Sequence, residues 1–320
     1  MKKIIALILV LSLSLFAFAA CGKKNKGETP DNNQGTTETP NNQTPAEKTY
    51  TLALAVDTAI GEDNKVSNYV TTLVLDEANK IVAVRIDCIE TTVALEEGAI
   101  KNVASVTSKV EQGENYGGST SYAPMTSGSF AKQTKAFEDA IVGKTADEVA
   151  NLDTTLVAGC TMPYSPSYFK AVIAKAFAST NKTTFKTSET FTLGLSATME
   201  VKDGKVTSYY AGTAVVGGKI AANILDCNEV SFEIVEGAIQ AKTYAGTKVE
   251  QGENYGGSTS YAPMTSGSFA KQTEAFENAL VGKTADEVAN LDTTLVAGCT
   301  MPYSPYSFKA VVAKALANAR

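Results

Sequence analysis

Apolar side chains recur at every second position in the region that follows the first fifty residues. Three such runs, Leu52–Val56, Tyr69–Leu75 and Val82–Cys88, are separated by polar segments such as Gly61–Asn64. A period of two is typical of a β-strand with one buried face. The pattern predicts an antiparallel β-meander, with a fourth strand within Thr92–Val106.

The pattern then changes to helical spacing. Phe130, Phe137 and Ile141 fall on one face of a helix that should end near Gly143. Thr145–Glu148 has the sequence of a capping box, which predicts the start of a short second helix.

A last strand and a last helix complete this region. The short apolar run Leu156–Met162 predicts the strand, and Ser165 followed by Pro166 predicts a helix start with Ser165 as N-cap. Phe169–Ala176 carries the buried stripe of that helix. Strands followed by helices predict an α+β domain, a meander followed by two to three helices.

The whole pattern occurs twice. Residues 109–178 and 248–317 align without a gap and differ at seven of seventy positions. Such a duplication predicts two copies of one domain, which we place at 49–180 (the first copy) and 188–320 (the second copy). The polar segment Ser179–Ser188 is the predicted linker, and we expect the two domains to fold independently.

The first twenty residues predict a secretory signal. Lys2 and Lys3 precede the apolar run Ile4–Ala20, and Cys21 follows directly. A cysteine after two alanines is typical of a lipobox, so we expect residues 1–20 to be removed and Cys21 to carry the lipid. The alternative is an ordinary secretory signal with an incidental cysteine. Residues 21–48 are polar and predict a disordered tether about 30 Å long on average.

Composition excludes several kinds of function. The chain contains no histidine, which excludes serine–histidine and cysteine–histidine catalysis and most zinc sites. Without Lys2 and Lys3 it carries 26 basic and 34 acidic residues, a net charge near −8, and no basic patch, which argues against nucleic acid binding. We therefore identify neither catalytic residues nor metal ligands.

Four cysteines remain beside Cys21. They are Cys88 and Cys160 in the first copy, and Cys227 and Cys299 in the second. Two interpretations are open: one disulfide within each copy, or small buried thiols.

Two further segments are candidate binding sites. Glu114–Met125, repeated at Glu253–Met264, is rich in Tyr, Ser and Gly, as loops that contact ligands often are, and its Tyr116 and Tyr122 are candidate contacts. It could equally be a connector that folds onto its own domain.

The second candidate is Val157–Pro166, repeated at Val296–Pro305. Here Gly159 would let a phosphate approach the backbone, and Thr161 lies just before a helix N-terminus, which favours negative charge. The same residues in the second copy are Gly298 and Thr300. The neighbouring tyrosines could stack on a flat ring: Tyr164, Tyr168, Tyr303 and Tyr306. A plain turn with a local threonine cap is the alternative.

The segment Ala158-Gly159-Cys160-Thr161 resembles the Ser-Gly-Ala-Thr signature of FMN-binding domains of the NqrC/RnfG-like family. Ala140–Val149 also resembles lipoproteins of Gram-positive bacteria that carry such domains, sometimes in tandem. The resemblance implies FMN esterified through its phosphate to Thr161 and Thr300. Two positions of the signature differ, and Thr155 stands where the family usually has an acidic residue.

The resemblance implies an extracytoplasmic, lipid-anchored electron carrier that has no substrate of its own, with a flavin transferase and redox proteins as partners. The rival hypothesis is a surface binding module for a glycan, peptide or protein, without a cofactor.

Overall fold

The computed structural model describes residues 46–117, 125–256 and 264–320. Residues 44–320 form one compact unit. Its strands are β1 Lys48–Ile60, β2 Lys65–Leu75, β3 Ile81–Thr92, β4 Leu95–Glu96, β5 Ala99–Ile100, β6 Val103–Val106, β7 Lys182–Thr187, β8 Phe191–Lys202, β9 Lys205–Val216, β10 Lys219–Val235 and β11 Ala238–Ala241. Its α-helices are α1 Phe130–Ile141, α2 Ala146–Ala150, α3 Ser165–Ala178, α4 Phe269–Leu280, α5 Ala285–Ala289 and α6 Ser304–Ala317.

The strands form two larger antiparallel sheets. The first sheet has the order β3-β2-β1-β7, and the second has the order β11-β10-β9-β8-β6. The short strands β4 and β5 pair with each other. Antiparallel sheets together with helices confirm the predicted α+β class.

Local sequence signals explain where the helices begin. The Ser129 hydroxyl caps α1 by accepting a hydrogen bond from the Lys132 amide. The predicted capping box is confirmed, since Thr145 and Glu148 each bind the other's backbone N–H at the start of α2. The predicted stripe of α3 is also confirmed, because Phe169, Val172, Ile173 and Ala176 are buried.

The two sheets pack face to face and are covered by helices on their outer faces. One core lies between the sheets, with Leu52 and Leu54 on one side and Leu193 and Leu195 on the other. A second core joins the first sheet to α1 and α3, and a third joins the second sheet to α4 and α6. The order of layers is therefore helices, sheet, sheet, helices.

The sheets approach closely at Gly212 in β9. A Cβ atom at this position would overlap the Thr72 side chain of the opposite sheet. Glycine suits this position because the Thr72 side chain already fills the space that a Cβ atom would need.

The expected linker between the copies is wrong. Residues 182–187 are the edge strand β7, which pairs with β1 from Lys48↔Thr187 to Ala53↔Lys182. The prediction of two independently folding domains is also wrong, because the copies share the core between the sheets. Burial of both faces of each sheet draws the two copies together.

Three local expectations also need correction. Leu156–Met162 contains no strand: a 3₁₀ turn at Thr154–Leu156 is followed by irregular chain. Helix α3 begins at Ser165 itself, with Tyr164 as N-cap and no side-chain cap. Strand β6 lies within the predicted range Thr92–Val106, but it pairs with β8 of the second copy and does not extend the meander of the first.

No helix in the three described stretches is both long and apolar enough to cross a membrane.

Candidate functional site

The candidate attachment residue Thr161 lies exposed on the chain that enters α3. Two residues earlier, Gly159 has a φ of +81°, and a Cβ there would lie 3.3 Å from the Ala136 side chain. This left-handed backbone explains the glycine without reference to a ligand. Gly298 in the second copy has a φ of +80°.

The Thr161 hydroxyl is held by the chain that leads into α1, and not by the N-terminus of α3. Its oxygen accepts a hydrogen bond from the Ser127 amide at 3.2 Å and donates to Gln133 Oε1 at 3.1 Å. The Thr161 amide donates to the same Gln133 oxygen at 2.7 Å. The hydroxyl oxygen of Thr161 therefore has one backbone N–H beside it, that of Ser127.

The second copy repeats this arrangement. The Thr300 hydroxyl accepts hydrogen bonds from the amides of Thr265 and Ser266 at 3.1 and 3.3 Å. The Thr300 amide donates to Gln272 Oε1 at 2.7 Å. Two backbone donors thus converge on one exposed hydroxyl oxygen.

A cleft of about 450 Å³ begins at the residue after Thr161. Its walls are mostly aromatic and thioether side chains, with the β1–β2 hairpin along one side. The principal wall residues are Tyr69, Tyr116, Met125, Phe130, Met162 and Tyr164. Tyr164 is 69% exposed, and Tyr168 stacks on Tyr69 with ring centroids 4.6 Å apart.

A buried ion pair lines the same cleft. Lys109 is 7% exposed, and its Nζ lies 2.8 Å from Glu90 Oε2. The ammonium group also lies 5.0 Å from the centre of the Tyr116 ring and 5.5 Å from that of Phe130. Burial opposes ionisation of Glu90, but the hydrogen bond from Lys109 lowers its pKa, so the pair is charged at neutral pH.

Asp87 holds the chain that carries Lys109. Its carboxylate accepts hydrogen bonds from the Ser108 hydroxyl at 2.6 Å and the Val110 amide at 3.0 Å. Burial raises the pKa of Asp87 to about 6. In the second copy Asp226 binds Thr247 and Val249 in the same way, and burial raises its pKa to about 7.

The second copy has the same ion pair in a smaller cleft of about 200 Å³. Lys248 Nζ lies 3.0 Å from Glu229 Oε2 and 4.9 Å from the centre of the Tyr255 ring. Tyr303 stands at its rim and is 73% exposed. Tyr306, 64% exposed, takes the place of Ser167, so no tyrosine stacks here as Tyr168 does in the first copy.

The four described cysteines are free, buried thiols. The disulfides Cys88–Cys160 and Cys227–Cys299 are therefore not formed, and the buried-thiol interpretation holds. Each thiol packs inside a sheet-to-helix core. Burial raises the pKa of Cys88 and Cys227 to about 12, which makes both unreactive.

Comparison with models of known protein families, with curated proteins and with solved structures gives no match for this chain. Within the described residues, no group of acidic or cysteine side chains could hold a metal ion. The site's chemistry must therefore be argued from its own side chains.

Sequence reasoning missed Glu90 and Lys109. A signal for Glu90 was present, because Glu90 and Glu229 are identical within the diverged part of the two copies. Of the predicted loop contacts, Tyr116 lies in the cleft and Tyr122 lies outside the described residues, as do 118–124 and 257–263 as a whole.

Proposed function

We propose that this chain is a lipid-anchored extracytoplasmic protein with tandem domains of one type, and that it carries FMN on Thr161 and, to a lesser extent, on Thr300. It would act as an electron carrier between redox partners, after modification by a flavin transferase. The observation that carries the proposal is an exposed threonine hydroxyl, bound by backbone N–H groups, at the end of an aromatic cleft.

The residues of the first copy fit a flavin. A cleft of about 450 Å³ lies within the usual range of roughly 300–1,000 Å³ for ligand pockets. Its tyrosine and phenylalanine side chains suit a flat ring, and the Ser127 N–H beside Thr161 would be one donor for a phosphate. The cleft of the second copy, at about 200 Å³, falls below that range. We therefore expect the first copy to be modified more completely.

FMN bound here would supply the redox chemistry, as cofactors generally do. The protein's own contribution would be charge and shape. Lys109 lies in the cleft wall as half of an ion pair with Glu90, so it would present an oriented dipole and not a net charge to a ring system. Tyr164, which is largely exposed, would cover one face of a ring.

The test is intact-mass measurement after co-expression with a flavin transferase. We expect Thr161→Ala to remove the main FMN adduct. Thr300→Ala should remove only the smaller amount of FMN that the second copy carries. Ser167→Ala is the matched control, since Ser167 is an exposed hydroxyl on the adjacent helix. A colourless protein of unmodified mass would refute the proposal, as would an adduct that survives in the double threonine variant.

One observation favours the alternative of a surface binding module. Large apolar side chains are exposed, and Tyr164 and Tyr303 among them line the clefts. The full set, between 64% and 79% exposed, is Leu156, Tyr164, Leu295, Tyr303 and Tyr306. Such side chains often anchor a glycan, peptide or protein. If no flavin is found, replacement of Tyr164 and Tyr303 by alanine should abolish partner binding.

A further inference from the structure

The second copy also has a groove of about 700 Å³. It runs between β7, which continues from the first copy, and helix α4. Its lining is polar and contains no aromatic side chain. The side chains that matter below are Asn181, Asn223, Thr273, Glu274 and Glu277.

The first copy shows what occupies the equivalent position there. Glu138 in α1 accepts a hydrogen bond from the Ile86 amide at 2.8 Å and is 4% exposed. Its other oxygen lies 3.0 Å from the Arg320 guanidinium and 3.9 Å from that of Arg85. Two guanidinium groups thus meet this carboxylate.

The second copy keeps the carboxylate but not the arginines. Glu277 accepts a hydrogen bond from the Leu225 amide at 2.6 Å, as Glu138 does from Ile86. At the position that matches Arg85, the second copy has Ile224. At the position that matches Arg320 of the second copy, the first copy has Asn181. The Asn181 side chain donates to the Leu225 carbonyl at 3.3 Å, so it lies beside Glu277.

Glu277 is consequently half-buried and open to the groove, without an ion pair among the described residues. Burial raises its pKa well above the ordinary value, since no neighbouring cation offsets the cost of desolvation. A carboxyl group that faces a groove without a counter-ion is a candidate to bind a cation.

A second, independent observation points into the groove. In the first copy Leu73 pairs with Val84 across two strands, and in the second copy Thr213 pairs with Asn223 at those positions. Asn223 is 2% exposed; its Oδ1 accepts from Thr213 at 2.8 Å, but its Nδ2 has no hydrogen-bond partner. This orphaned group is a donor and needs an acceptor, which a guanidinium lacks but the carbonyl oxygen of a bound peptide or acylated compound supplies.

The near-identical segments 109–178 and 248–317 differ in charge at this groove. Lys135 of the first copy corresponds to Glu274 of the second, and Asp139 corresponds to Asn278. Both second-copy residues line the groove, and the first change replaces a positive charge by a negative one. The two lysines of the lining, Lys182 and Lys271, are bound to the Phe177 carbonyl and to Glu253.

We propose that this groove binds a guanidinium group, seated against Glu277 with Asn181 beside it, as Arg320 is seated against Glu138, while a carbonyl of the same ligand accepts from Asn223. The group would come from a free guanidino compound or from an arginine side chain of a peptide. A guanidinium suits the site because its planar donors match a carboxylate and leave further N–H groups for amide oxygens.

Titration calorimetry of the flavin-free full chain tests this proposal. The probes are Nα-acetyl-arginine amide and, as its uncharged isostere, Nα-acetyl-citrulline amide. We expect the arginine compound to bind at least tenfold more tightly than the citrulline compound. Glu277→Gln should weaken its binding at least tenfold, whereas Glu138→Gln, the matched change in the first copy, should alter it less than twofold.

A second variant tests the site without removing the carboxylate. Asn181→Arg restores the arrangement of the first copy, so its own side chain should occupy the groove, abolish binding and raise the melting temperature. A blocked tripeptide with central arginine distinguishes the sources: equal or tighter binding indicates a peptide, and exclusion indicates a small molecule. Equal binding of citrulline and arginine compounds, or unchanged binding in Asn181→Arg, would overturn the proposal.

Discussion

At the scale of single residues, the Lys109–Glu90 pair is the most constrained feature of the molecule. The ammonium group is almost fully enclosed by Glu90 and two aromatic rings, and the same set recurs around Lys248. A charge in such a position is tolerated only with its partner, because desolvation of either ion alone is costly.

We therefore predict that Lys109→Met lowers the free energy of unfolding by about 2 kcal/mol, because Glu90 loses its buried partner and keeps only the more exposed Lys65, 3.0 Å away. The double variant Lys109→Met with Glu90→Gln should lose less than the single variant, since both charges are gone. Urea unfolding followed by circular dichroism measures both, and Lys248→Met is the matched change in the second copy. Additive losses in the double variant would contradict the interpretation.

At the scale of elements, the close packing of helix on sheet differs between the copies. Helix α6 crosses β8 at Gly194, where a Cβ atom would overlap the carbonyl oxygen of Ala315. The matching position in β1 of the first copy is Ala53, which is buried beneath its own helices. The second copy's helix thus lies closer to its strand than a side chain permits.

From this contact we predict that Gly194→Ala is destabilising by about 2 kcal/mol, although alanine is the ordinary residue at the matching position. The backbone of α6 must move to admit one methyl group. Ala53→Gly is the control, with a smaller loss of about 1 kcal/mol. Thermal unfolding of both variants checks the order, and a Gly194→Ala protein as stable as the parent would show that α6 shifts freely.

At the scale of the whole molecule, the back-to-back sheets make the copies dependent on each other. Leu193, Leu195 and Met199 of the second copy are buried against the first sheet. Removal of either copy exposes this face to water, at a cost of about 25 cal/mol for each Å² of apolar surface.

Accordingly, a fragment of residues 188–320 should not unfold cooperatively as a monomer. Its sheet would expose one apolar face, so we expect association in size-exclusion chromatography and binding of a hydrophobic dye. Addition of a fragment of residues 46–187, which retains β7, should restore a cooperative transition. A monomeric, cooperatively unfolding fragment 188–320 would show that the core between the sheets is dispensable.

The sequence alone determined the elements that depend on neighbours along the chain. The period of two located β1, β2 and β3, and the helical spacing and capping box located α1 and α2, because these patterns arise within a few residues. The repeat was visible directly. One signal of the sandwich was also present: Leu52–Val56 is apolar or small at every position, as in a strand buried on both faces.

Only the tertiary structure decided which faces meet. The pairing of β7 with β1 and the ion pair of Arg320 with Glu138 join residues far apart in the chain. No local pattern encodes such contacts, since they follow from how whole sheets bury their apolar faces. The nearly identical segments 109–178 and 248–317 therefore acquire different surroundings. Glu138 and Glu277 are matching residues, and they differ in the neighbours that folding places beside each.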